Sequence, residues 1–216
     1  MPDLPVVSPE AAIIVTASRA EQEQARTAAS VTVVTDERTQ RLGEPLLSSV
    51  LRLAPSAAVA ITGPAGSQTQ LRLRGSEANH TLLFIDGIRA NDPAAGNEPR
   101  FELLNADMAS RVEIVRGPQS ALWGSEAIGG VVSVSGAADN GVYAQAEGGS
   151  FGFRRLGGSA ATTSDAVDLA FAGGVQGSAG INAFAGSAGD RDGYHNAAIR
   201  GRAAWRPTSG IELALN

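Results

Sequence analysis

The sequence predicts a small α+β unit followed by a run of amphipathic antiparallel strands. Three observations carry that prediction. Helical and strand signals alternate up to about Ser135. Beyond Asn140 helical periodicity disappears and period-2 alternation takes over. Glycine density more than doubles at the same point: of 26 Gly, 11 precede residue 140 and 15 follow it. The boundary falls at Gly136–Asn140, inside the turn-like string SGAADNG.

Within the first unit, Val31–Thr35 (VTVVT) reads as a strand. Glu44–Ala54 reads as a helix. Pro45 suits its first position, Leu46, Leu47, Val50 and Leu51 share a face, and Pro55 stops it. Leu71–Arg74 alternates apolar residue and Arg, ending at Gly75. Thr81–Asp86 is a buried strand, and Asp86-Gly87 signals a turn. Ala90–Arg100, with two Pro and two Asn, is a loop. Arg111–Arg116 (RVEIVR) is a strand running into Gly117-Pro118. A short helix is expected in Gln119–Ile128 and a closing strand at Val131–Val134. Upstream, Ile13–Thr16 looks like an extended peptide rather than part of a core.

Five segments of the second unit alternate: Val142–Gly149, Phe153–Thr162, Ala166–Gln176, Ile199–Arg206 and Ile211–Asn216. Val167, Leu169, Phe171, Gly173 and Val175 share one face, and Asp168 and Gln176 lie on the other. Ile199 and Trp205 oppose Arg200, Arg202 and Arg206. Two structures fit this pattern: a soluble sheet on a core, or a membrane barrel with lipid outside and water inside. Short polar turns (Thr163-Ser164-Asp165, Pro207–Gly210), three Arg on the polar face and aromatics near strand ends (Tyr143, Phe153, Trp205) lean toward the barrel. Periodicity alone leaves the two at about even odds.

Composition closes off other classes. The 216 residues are 43% hydrophobic and 5% aromatic, with no Cys and no Lys. Without Cys there are no disulfides, thiolate metal sites or thiol catalysis. A net charge of −5 argues against nucleic-acid binding. No apolar run is long enough for a transmembrane helix. The start, MPDLPVVSPE, lacks a basic region and an apolar region, so no signal peptide is visible.

The string RVEIVRGPQSALWGSEAIGGVVSV (Arg111–Val134), with LRLRG at 71–75 and TLLFIDGIR at 81–89, closely resembles the plug domain of TonB-dependent outer-membrane receptors. IIVTASR at 13–19 looks like that family's Ton box and the residues after it. The resemblance is strongest to the cobalamin and siderophore receptor branch. It implies an N-terminal extension with the Ton box over 1–20, an α+β plug domain over 21–138, and the start of an antiparallel transmembrane β-barrel over 139–216. About four to five strands of a 22-stranded type would be present.

The resemblance also implies roles. Ile13, Ile14, Val15, Thr16 and Ala17 would form the Ton box, an extended and poorly anchored segment. It would add as a strand to a TonB-type periplasmic energy-coupling protein, through main-chain hydrogen bonds. The other reading of the segment is an ordinary edge strand. Arg74 and Arg116, each at a strand end before Gly, would latch the plug to carboxylates on later barrel strands. Bidentate Arg–carboxylate geometry suits a latch. The alternative is a solvated surface Arg, which fits Arg72 as well. Loops at Thr62–Thr69 and Arg89–Arg100 correspond to substrate-facing apices, with Gln68, Asn91, Asp92 and Asn97 offering hydrogen bonds. Asp86 is expected to bond backbone amides in its turn.

Asp190 and Asp192, in D-R-D-G-Y, resemble the acidic calcium-binding loop of cobalamin receptors, although two carboxylates fall short of a complete Ca²⁺ site and a solvated turn fits them better. No other cofactor is expected. Gly117-Pro118, Gly124 and Gly129-Gly130 are not a phosphate cradle, since no Lys accompanies them. His80 and His195 read as structural. No catalytic constellation is present, so the chain is not expected to be an enzyme.

The function implied is TonB-dependent uptake of cobalamin or a ferric siderophore across the outer membrane of a Gram-negative bacterium. The chain would touch the coupling protein, a small iron chelate or cobalamin, and outer-membrane lipid, but no nucleic acid. Residues 141–216 allow only about five strands, and an open sheet cannot sit alone in a bilayer. The sequence therefore reads as the front of a longer receptor or the product of a truncated gene. The rival readings are a soluble plug-like binding or signalling module and a non-functional fragment.

Overall fold

A computed structural model describes residues 13, 14, 16, 22–136, 140–183, 190–208 and 211–215 of the chain. Of the residues discussed above, all of the 1–20 extension except Ile13, Ile14 and Thr16, residues 137–139 of the boundary, Ser209, Gly210 and Asn216 lie outside the described residues.

In chain order the first unit contains β1 (Ile13–Ile14), β2 (Gln22–Glu23), β3 (Ser30–Thr35), α1 (Asp36–Leu42), α2 (Leu47–Leu51), β4 (Ala57–Ile61), β5 (Thr69–Leu73), β6 (Thr81–Ile85), β7 (Ile88–Arg89), β8 (Asn91–Asp92), β9 (Glu98–Pro99), β10 (Arg111–Arg116), α3 (Ser120–Trp123) and β11 (Gly130–Ser135). Its main sheet runs β3-β10-β11-β6-β7. β10 is antiparallel to both neighbours, and β11 is parallel to β6. Alternation along RVEIVR decides how the sheet packs. Val112 and Ile114 point into the main core, beside Val34, Leu83, Phe101 and Val132. Glu113 and Val115 alternate with them and so lie on the second face. There Val115 packs on Val31, while Leu82, Phe84, Ala127 and Val131 form a separate cluster with Trp123. β6 turns into β7 through Asp86 and Gly87, both at positive φ, the backbone that a two-residue type I′ hairpin demands.

The second unit is one open antiparallel sheet: β12 (Gly141–Gly148), β13 (Arg154–Thr163), β14 (Val167–Ser178), β15 (Tyr194–Thr208) and β16 (Ile211–Leu215), paired in sequence order. All five alternating segments are strands. One face is bare and apolar: Val142 is 86% exposed and Ile199 81%, and Leu169, Phe171, Trp205 and Leu213 are also exposed. The opposite face packs on the first unit and buries Arg155, Ala172, Gln176 and Ala204. Among the described residues the sheet does not close, and β12 and β16 are its edges.

Two expected elements differ. The helix expected over Glu44–Ala54 is reduced to Leu47–Leu51. Pro45 and Leu46 instead run extended beside residues 104–106. The Pro45 carbonyl accepts from the Ala106 N–H, and Leu46 bridges Asn105. The loop expected over Ala90–Arg100 holds a small hairpin, β8 against β9. Helix α1, absent from the sequence reading, buries only Thr39, so its sequence carries no apolar stripe to announce it.

Candidate functional site: the seat between the two units and its two ends

Two carboxylates of the first unit meet two arginines of the second sheet. Asp107 accepts from Arg155 Nε at 2.8 Å and also from Arg155 Nη2. Gln145 of β12 donates to the same carboxylate. The side chains of Arg155 and Asp107 keep only 5% and 8% of their exposure. Gly157, two residues along β13 from Arg155, leaves the carboxylate its space, since a Cβ there would lie 2.9 Å from Asp107 Oδ2. Nearby, Gln176 of β14 donates to Asn105.

The second contact is made by Arg200 of β15. It pairs with Asp86 and donates to the carbonyls of Met108 (2.6 Å) and Val134 (3.0 Å). The other oxygen of Asp86 accepts from the Gly136 N–H at 2.9 Å. One Arg thus ties together the β6–β7 turn, the end of β11 and the loop before β10. Asp86 does bond a backbone amide, but across the sheet rather than within its own turn.

The two ends of this assembly differ. At one end lie residues 149–153, 179–183 and 190–193, together with the Thr62–Gln68 loop. Gly66 there leaves no room for a side chain beside the Tyr194 ring. A cavity of about 460 Å³ opens between Pro64, Ala65, Phe151, Ile181 and Tyr194. At the other end lie the short turn after Thr163 and Thr16. A cavity of about 540 Å³ there is lined by Thr16, Glu113, Trp123, Asp168 and Arg202.

Residues 23–131 match the TonB-dependent Receptor Plug Domain family. The chain belongs to the TonB-dependent receptor family. It is 35% identical over 122 residues to the vitamin B12 transporter BtuB of Vibrio vulnificus (strain YJ016), a match covering 56% of this chain and 20% of that protein. It is also similar to the solved siderophore receptor PirA of Acinetobacter baumannii: TM-score 0.65, 27% identity, 91% of this chain and 31% of that one. The ferripyoverdine receptor of Pseudomonas aeruginosa, bound to ferripyoverdine, shares the fold at TM-score 0.77 and 18% identity, over 94% of this chain and 26% of that one. The chain therefore spans about a fifth of the curated relative's length. TonB-dependent receptors are Gram-negative outer-membrane proteins, and these relatives are transporters and receptors rather than enzymes. The first unit is the plug, and the second sheet matches strands of the receptor barrel.

The residues singled out in the sequence fall in distinct places. Ile13 and Ile14 pair with Glu23 and Gln22. Thr16 is buried and held at both its N–H and its carbonyl, so the loose anchoring expected of the segment does not apply at that residue. Arg74 donates to Ser30 Oγ at 2.8 Å, and Arg116 donates to the Pro55 carbonyl at 2.9 Å. The two arginines lie close enough that burial, and secondly the Arg74 charge, lower the Arg116 pKa from its ordinary value. Among the described residues neither meets a carboxylate.

Gln68 is exposed and donates to Glu98. Asn91 is used internally: its oxygen accepts from the Leu83 N–H, and its amide donates to the carbonyls of Thr81 and Asn97. Asn91 is therefore a bracket inside the apical hairpin, contrary to the freely offered hydrogen bonds expected of it. Asp92 caps Ala94, and Asn97 accepts from Arg89. Asp192 accepts from the Ala183 N–H at 2.7 Å, and Asp190 is exposed. No third metal-ligating side chain joins them among the described residues.

The sequence reading missed Asp107, Arg155 and Arg200 as a seat. The partners in those pairs are 48 and 114 residues apart. The signal that was available is the charge on the non-lipid face. A polar face of Arg inside a packed seam needs carboxylates opposite it.

Proposed function

We propose that this chain supplies the plug and first barrel strands of an outer-membrane receptor that takes up cobalamin or a ferric siderophore with energy from a TonB-type coupling protein. The observation that carries this reading is the seat itself. A plug is fixed by Asp107–Arg155 and Asp86–Arg200 to a sheet whose other face is bare and apolar. A soluble module would not leave Val142, Phe171, Ile199 and Leu215 on one uncovered face. Lipid covers such a face without penalty.

The two ends then take different tasks. The Thr62–Gln68 and Asp92–Asn97 apices and the cavity beside Phe151 and Tyr194 face the substrate. Gln68, Asp92 and Asn97 contact it by re-pairing their present hydrogen bonds. Asp190 and Asp192 bind Ca²⁺ only with ligands from outside this pair. Ile13–Ala17 is the coupling segment, and Arg74 and Arg116 latch the plug to barrel carboxylates beyond those described.

The test begins with an outer-membrane fraction immunoblotted against the plug. A band several times heavier than 22 kDa that shifts on boiling is expected, as closed barrels shift. Retention of radiolabelled cobalamin and of ferric siderophores on that protein then identifies the substrate class. A soluble 22 kDa band would overturn the reading.

A further inference from the structure

The arginines of the second sheet divide between its two faces. Arg155, Arg200, Arg202 and Arg206 stand on the plug-facing side, and each lies within reach of a carboxylate. Arg154 precedes buried Arg155 on β13, so it stands on the opposite, apolar face, as exposed Leu156 does. Among the described residues Arg154 makes no ion pair and no side-chain hydrogen bond.

Strand register surrounds this arginine with an unusual row. Gly148 of β12 opposes Arg154, Arg154 opposes Gly177 of β14, and Gly177 opposes His195 of β15. Opposed residues of paired strands share a face. The row therefore reads Gly–Arg–Gly–His across the outer surface, and the two glycines leave the guanidinium and the imidazole standing over bare backbone. An open depression of about 550 Å³ lies there, bounded by Arg154 and His195 with Gly152, Ser178 and Gly193. The next row inward is apolar: Leu156, Val175 and Ala197.

The row also has a definite height. The opposite rim of the apolar face is the row of Val167, Trp205 and Leu213. About ten residues of β14 separate the two rows, which at the usual strand rise and barrel tilt is about 25 Å, the height of a lipid-facing band. Connection length orients the band. β14 stops at Ser178 and β15 starts only at Tyr194, whereas residues 164–166 suffice between β13 and β14 at the Trp205 rim. Short turns mark the periplasmic side of such barrels, so Arg154 stands at the outer rim.

We propose that Arg154 and His195 hold the phosphate of an anionic glycolipid of the outer leaflet, whose acyl chains lie along the apolar rows below. The proposal rests on the outer-membrane reading above and names a ligand outside the transport path. A guanidinium meets a phosphate with two parallel N–H donors. Imidazole adds a further N–H even when neutral. Basic groups at the level of the headgroups are suited to this contact. The depression runs directly into the apolar face, so a lipid fills both, whereas a free phosphate would use the rim only.

The test uses the full-length receptor in mild detergent. It is mixed with lipid A carrying its two phosphates, or with the same lipid stripped of both, and retained lipid is counted by native mass spectrometry. The phosphorylated lipid is expected to stay bound and the stripped one to be lost. Arg154→Gln is expected to cut retention about tenfold, and His195→Gln about threefold. Arg154→Lys keeps the charge without the fork and should fall between, and it carries the test if Arg154→Gln does not close into a heat-modifiable barrel. Arg38→Gln, at an exposed arginine of α1, should change nothing. Equal retention of both lipids by the receptor and every variant overturns the phosphate site and leaves the transporter reading standing. An equal loss in Arg38→Gln would mean a bulk charge effect and also overturns it. Release of the lipid by excess inorganic phosphate would make the site one for a free anion and overturns the lipid occupant. No heat-modifiable barrel in any form overturns the outer-membrane reading itself, and the site with it.

Discussion

Asp107 of the plug and Arg155 of the barrel wall form a two-point pair, both side chains almost wholly withdrawn from solvent. Gln145 and the Gly43 carbonyl add hydrogen bonds to the pair, and Glu147 lies 3.5 Å from Arg155 Nη1. Breaking a buried pair from one side costs up to about 3–5 kcal/mol where the remaining charge is uncompensated, and Glu147 beside Arg155 lowers that cost here. Asp107→Ala is therefore expected to shorten the trypsin half-life of the plug in the solubilised receptor. Asp107→Ala combined with Arg155→Met removes both charges and is expected to restore most of the loss. A double variant as fragile as the single one would show that the pair does not carry the seating.

Arg200 makes the second link by a different means. It serves two carbonyls and a carboxylate from three separate plug segments. How legible this seat was in the sequence depends on the range of its parts. Strand β10 and all five wall strands repeat every two residues, so they could be read from their own side chains. α1 has polar residues at nearly every position and was missed. Pro45 and Leu46 looked like a helix start, but they bridge to Asn105, a partner that nothing local announces. The seat failed to show for the same reason. Asp107 sits in the unremarkable string NADM, and its meaning arises only when Arg155 is folded onto it.

The wall offers a test of orientation. Ile199 stands 81% exposed on β15, one residue from inward-facing Arg200. If lipid covers that face, Ile199→Arg costs about 2–4 kcal/mol near the bilayer midplane. Ile199→Leu should be neutral. The fraction of heat-modifiable receptor in the outer membrane reads both. An arginine at 199 without effect on that fraction would place the face in water.

Close approach inside the plug gives a sharper steric prediction. A Cβ on Gly130 would strike the Val115 carbonyl of the paired strand and lie 2.7 Å from Leu73 Cδ1. The backbone there also stands at φ +152. Gly130→Ala must push β11 off β10 and is expected to destabilise the plug by about 1–3 kcal/mol. Gly148→Ala, which meets nothing within 4 Å, is the neutral control. Urea denaturation of the receptor followed by protease sensitivity of the plug separates the two.

Arg74 and Arg116 give a prediction whose sign decides between two situations. Both guanidinium groups gather around Ser30, one on its hydroxyl and one reaching its carbonyl at 3.4 Å. Burial first, and the Arg74 charge second, lower the Arg116 pKa, so the charged form is disfavoured where it stands. Arginine nevertheless remains protonated across neutral pH, because its reference pKa lies so far above it. The repulsion is therefore constant around neutrality rather than titratable. If these arginines only repel each other, Arg74→Gln removes the repulsion and makes the plug more resistant to protease. If barrel carboxylates oppose them, as the latch reading requires, each Arg is worth more as a partner than it costs as a neighbour. Arg74→Gln then weakens the plug, and Arg74→Gln with Arg116→Gln weakens it further. The expected outcome is weakening, read as faster trypsin cleavage of the plug and greater entry of a large hydrophilic antibiotic through the receptor. Stabilisation by Arg74→Gln would remove the latch from the mechanism.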